Sequence, residues 1–150
     1  MQNIFSQNGS KEFVDRINQL KYDSQPSWGK MSVDQMLAHC SVMYEMVYDN
    51  VHQKPNAFLR FILKSFIKAK VVNETPYSRN IRTAPQFIIS NNRDFDLEKT
   101  KLINYINKTQ ELGEKEFEGK ESLSFGKLTS KEWNNMFAKH LDHHLSQFNV

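Results

Sequence analysis

This chain of 150 residues predicts an all-α fold. Three observations carry that prediction. Apolar residues recur every three or four positions through successive stretches of the chain. Two of those stretches open on a capping box. Only five glycines and four prolines interrupt them. A chain of this length is the size of one domain, 1–150, and can bury one good core. The expected layout is four main helices, a shorter one in front of them, and two long connections.

The short first helix follows Ser10, with Phe13, Val14, Ile17 and Leu20 at helical spacing, and ends in "DSQPSWG", where Pro26 and Gly29 resist continuation. The second opens at "SVDQMLAHC": Ser32 caps, and Gln35 reaches back to it. Its apolar stripe is Val33, Met36, Cys40, Met43, Tyr44, Val47 and Val51, with His39 on the flank, one turn from Met36 and Met43. A third helix covers Asn56 to Lys70. A fourth begins near Asp96 and stops at Gly113. The last carries the strongest signals: Thr129 caps, Glu132 completes a second box, and Trp133, Phe137, Leu141, Leu145 and Phe148 mark the inner face. Residues 71–95 and 113–128 read as loops, although "QFIIS" can form a short extended piece. Connections of this length tend to be lids, binding loops or interface arms.

Composition narrows the functional classes. A hydrophobic fraction of 39% with 25% charged residues describes a globular chain, neither disordered nor membrane-embedded. A formal charge of +3, spread along the sequence, gives no case for a nucleic-acid partner. The single Cys40 forms no internal disulfide and suits a reducing compartment. The start "MQNIFSQNGS" has no signal-peptide pattern, and charges interrupt the longest apolar run, "FLRFILKSFIKAKVV". A cytoplasmic location with no membrane partner is the expectation. Arg60, Lys64 and Lys68 form a basic stripe within that run. It reads first as a solvated helix face whose stems cover apolar surface, and second as a contact for an anionic surface.

The chain has five histidines, and three of them fall in its last twelve residues, "KHLDHHLSQFNV". At about 100° per residue, His140 and His144 are separated by only about 40° and lie within the inner face. Asp142 points away and His143 sits at the boundary. A histidine pair at i and i+4 is a two-point clamp for a divalent ion, and neutral imidazole suits zinc, nickel, copper or iron. A catalytic site usually needs a third protein ligand, which His39 supplies if the second and last helices pack side by side. "HLDHH" lacks the glutamate that metalloprotease helices carry after the first histidine, so a zincin mechanism does not fit. The competing reading is packing: histidines on an apolar face, hydrogen-bonded to carbonyls or to each other. Spacing alone leaves both open.

"WGKMSVDQMLAHC" and "FGKLTSKEWNNMFAKHLDHHLSQF" together resemble the DinB-like (damage-inducible) superfamily of small four-helix proteins, from about Trp28 to the end of the chain. Members carry one metal-binding histidine on the second helix and an H-x-x-x-H pair on the last, positions held here by His39, His140 and His144. The resemblance implies an up-down-down-up four-helix bundle, often dimeric, with a three-histidine site at one end. The metal it implies is a divalent transition ion, zinc or nickel first, with a water in the open position. Relatives include metal-dependent hydrolases and transferases that attach low-molecular-weight thiols to small electrophiles. A small-molecule substrate, with or without a thiol cofactor, is therefore the expected partner, and a homodimer the expected assembly. No counterpart of a dedicated thiol-binding motif is present. The lead-in "FGKLTSKEW" is similar to a subgroup of undetermined activity.

Two residues are candidates to support that site: Gln147, one turn beyond His143 and His144, and His143 itself, at the rim or on a solvent edge. Cys40 points away from His39 and reads as an inert core thiol. Trp133 and Phe137 read as core. His52 is either a loop residue or one that reaches the mouth of the site. The non-catalytic alternative is a helical binding or structural module whose histidines satisfy one another in a polar pocket.

Overall fold

The computed structural model of the protein describes residues 1–150, and it is mostly helical. Six α-helical segments appear: α1 Gln7–Gln19, α2 Val33–Tyr48, α3 Ala57–Ile62, α4 Lys68–Val72, α5 Phe95–Phe117 and α6 Ser130–Gln147. A π-helical turn, Leu63–Ile67, joins α3 to α4 without a break. The strand content is one antiparallel ribbon of two-residue strands, β1 Glu121–Ser122 and β2 Gly126–Lys127. No helix is long and apolar enough to cross a membrane.

Local chemistry sets most of the boundaries. In α6 the Thr129 hydroxyl accepts from the Glu132 amide at 3.2 Å, and the Glu132 carboxylate accepts from the Thr129 amide at 2.9 Å. In α2 the Gln35 side chain accepts from the Ser32 amide at 3.2 Å. These reciprocal contacts satisfy amides that a helix start leaves open. The first helix begins earlier than its spacing suggests. Ser6, not Ser10, is the cap, accepting from the Gly9 amide at 3.1 Å. Gly9 is required there because a Cβ would lie 2.1 Å from the Asn3 carbonyl oxygen.

The long connections also depart from expectation. Gly113 does not end α5; it turns the chain at φ 73° and helical structure resumes to Phe117. The resumption is explained by burial, since Phe117 is fully enclosed and its ring meets Phe5, Trp133 and Phe137. The rest of 113–128 forms the ribbon. Within 71–95, Pro85–Phe87 is a 3-10 turn, so "QFIIS" starts in a turn and reaches extended backbone at Ile88.

One core of 24 buried apolar residues unites these elements. Helix α2 packs against α5, and α6 touches α1, α2, α4 and α5, which makes α6 the central element. An aromatic column runs through the middle: Tyr105 on Tyr44 (5.7 Å), Tyr44 on Phe137 (4.7 Å) and Phe137 on Trp133 (5.5 Å). The segment α3–α4 reverses its expected orientation. Arg60 and Lys68 turn inward to Glu121 and Glu132, each at 2.8 Å, while Phe58, Phe61 and Phe66 face solvent. Only Lys64 keeps the solvated position expected of all three basic residues. Two surface ion pairs of this kind are worth about 1 kcal/mol each at most, less than burying those three rings would return, so they fix where Arg60 and Lys68 point without explaining the exposed aromatics.

Candidate metal centre

Helices α2 and α6 meet where His39 faces His140 and His144. All three are buried, at 4%, 8% and 7% exposure, and one ligand nitrogen from each lies within 4.8 Å of the others. His39 Nε2 is 2.9 Å from His140 Nε2. Ring centroids are separated by 4.9 Å for His39 and His140, 4.5 Å for His39 and His144, and 4.8 Å for His140 and His144. An ion about 2.0 to 2.1 Å from each nitrogen sets tetrahedral ligand nitrogens about 3.3 to 3.4 Å apart, and the nitrogens here, 2.9 Å apart in one pair and within 4.8 Å in all, are of that order. No carboxylate joins the cluster.

Hydrogen bonds behind the rings decide which nitrogens point inward. His39 Nδ1 donates to the Phe87 carbonyl at 2.8 Å, and His144 Nδ1 donates to Gln147 Oε1 at 2.9 Å. With the proton on Nδ1, both residues turn an Nε2 lone pair toward the common centre. Gln147 is itself fixed, because its amide nitrogen donates to the Trp28 carbonyl. The Phe87 and Trp28 carbonyls are the supporting groups that sequence reasoning missed. A carbonyl belongs to every residue, so only the neighbouring signals were readable: Pro85, which starts the 3-10 turn, and Gly29 after Trp28.

Gly29 sits at φ +83°, and a Cβ there would lie 2.4 Å from Gln147 Nε2. Gly29→Ala is expected to cost about 1 to 2 kcal/mol through backbone strain and the lost Gln147–Trp28 bond. It should also weaken metal binding about tenfold by freeing His144. Urea unfolding and a zinc titration against a competing chelator check the two effects.

The electrostatics favour neutral imidazoles. Burial lowers the pKa of His39. Burial and then the neighbouring histidines push His140 well below its ordinary value, and burial takes His144 down to about 3. Neutral rings are ready ligands, with few protons to displace. The sign of the pH effect follows. In the unfolded chain these groups gain protons near pH 6.5, while the fold keeps them neutral. Stability of the metal-free protein is therefore complete above that value and falls as pH drops toward about 3. The expected slope is about 1.4 kcal/mol per pH unit for each histidine held neutral, measured as urea midpoints at pH 7.5, 6 and 5.

The remaining candidates fall on either side of the centre. His143 makes no hydrogen bond and stands edge-on to Trp28 (6.0 Å) and Tyr77 (5.7 Å), outside the triad. His52 pairs with Glu45 at 2.7 Å and does not reach the site. Cys40 is fully buried, its thiol raised far above the usual range by desolvation, with Met36 sulfur 3.7 Å away. Trp133 and Phe137 are core.

The protein is thus of a helical class with three clustered buried histidines able to hold a metal ion. The chain belongs to the family described as "Protein of unknown function (DUF1569)", whose model matches residues 5–150. Comparison with curated proteins and with solved structures gave no match.

Proposed function

We propose that the protein is a DinB-like, four-helix, metal-dependent protein in which His39, His140 and His144 hold a divalent transition ion, zinc or nickel, through their Nε2 atoms. One observation carries this reading: hydrogen bonds from the Nδ1 atoms of His39 and His144 to Phe87 and Gln147 aim two lone pairs at the point where His140 also arrives. An all-imidazole, carboxylate-free shell leaves a bound ion strongly Lewis acidic, able to lower the pKa of a water or thiol in its open position. The reaction class is hydrolysis of, or thiol transfer to, a small electrophile. In this reading Phe87 and Gln147 keep the ligands in one tautomer, and the Phe87 ring, 5.5 Å from His39 and 5.8 Å from His140, shields them from bulk water.

A second reading has its own observation. The 2.9 Å contact between His39 Nε2 and His140 Nε2 is a hydrogen bond if His140 carries its proton there, which pairs the two facing nitrogens without an ion. That protein is a binding or structural module. Elemental analysis of protein purified without a histidine tag separates the two. The metal reading expects about one equivalent of zinc or nickel, lost in His144→Ala. Metal-free native protein, with wild type and variant binding zinc equally, would leave the module.

A further inference from the structure

On the far side of α6 from the three histidines lies a cleft of about 670 Å³, bordered by Trp28, Tyr77, Arg79, Lys139 and His143 among others. Its size suits a small organic ligand. Most of its charges are already engaged. Glu74 pairs with Lys131 at 2.9 Å and Asp142 with Arg16 at 2.9 Å, while Glu12 accepts from the Gln2 amide. The buried Lys139 ammonium spends its three donors on Lys70 O, Asn73 O and Asn73 Oδ1, each at 2.8 Å.

What is left is a set of unused donors. Arg79 lies over the Trp28 ring at 4.2 Å and has neither an ion pair nor a hydrogen bond. The Trp28 indole N–H and the Tyr77 hydroxyl have no protein partner either. A guanidinium held over an aromatic ring and otherwise unpartnered keeps N–H donors for a two-pronged contact. Beside the fork, Trp28, Pro76 and Tyr77 supply an apolar wall.

We propose that this cleft binds a small organic carboxylate, with its charged end on the Arg79 fork and its apolar body on the Trp28–Tyr77 wall. A carboxylate matches the fork in geometry and charge, and the aromatic wall accounts for a hydrophobic body. The cleft also reports to the histidines. Trp28 gives its ring to the cleft and its carbonyl to Gln147, which orients His144, and the His143 ring meets His144 at 5.0 Å. This coupling rests on the metal reading; carboxylate binding does not.

The test uses metal-free protein, 2-naphthoate, and its uncharged analogue 2-naphthamide, followed by calorimetry. Naphthoate should bind at least tenfold more tightly than the amide, and Arg79→Gln should erase the difference. Arg79 is exposed, so this substitution leaves the core intact. Equal affinity for the two probes, no binding of naphthoate at millimolar concentration, or a preference that survives Arg79→Gln overturns the site. For the coupling, saturating naphthoate should change zinc affinity by about fivefold or more, with the reciprocal change in naphthoate affinity. An unchanged zinc affinity overturns the coupling alone.

Discussion

Zinc added to metal-free protein is expected to stabilise it by about 4 kcal/mol once free zinc exceeds its dissociation constant a thousandfold. For a chain of this length that is a rise in melting temperature of roughly 10 °C or more. The reason is linkage: the three nitrogens come from positions 39, 140 and 144 and lie within 4.8 Å of one another only in the folded chain. Scanning calorimetry with and without zinc measures the shift. His39→Ala, His140→Ala and His144→Ala should each abolish it. His143→Ala should keep it, because that ring stands between Trp28 and Tyr77. If wild type gains nothing, or His143→Ala loses as much as His144→Ala, the triad does not bind the ion.

Phe137→Ala is expected to destabilise the protein by about 3 to 5 kcal/mol. Phe137 is fully buried, stacks on Tyr44 and Trp133, and receives the edge of Phe117. It sits at the junction of α2, α5 and α6, so the surrounding helices have little freedom to close over the lost ring. Phe137→Leu, which keeps more of the volume, should cost less than half as much. Denaturant midpoints on metal-free samples separate this packing effect from zinc binding. Equal costs for the two variants would mean that the core relaxes around residue 137.

The parts of the fold legible in the sequence were those fixed by short-range chemistry. Ser32 with Gln35 and Thr129 with Glu132 each lie within one turn, and both helix starts occur where those pairs stand. His140 and His144 were readable as a pair because helical geometry alone sets them on one face. What lay beyond reach depended on distant partners. Gly113 reads locally as a stop, but the cavity formed by Phe5, Trp133 and Phe137 draws Phe117 in and the helix resumes. Arg60 and Lys68 find their partners, Glu121 and Glu132, more than sixty residues away. The carbonyl behind His39 comes from Phe87, 48 residues on, and no side-chain pattern announces a backbone oxygen.

The turn joining α1 to α2 is fastened to the end of α6 at more than one point. Besides the Trp28 carbonyl on Gln147, the Ser27 amide donates to the Gln147 carbonyl at 2.7 Å and the Ser27 hydroxyl to Asn149 at 2.8 Å. Deuterium uptake at the Ser27 amide should therefore slow when an ion is bound and quicken when it is stripped, although Ser27 never touches the ion. A peptide on a turn outside the ligand helices becomes a gauge of whether the centre is filled.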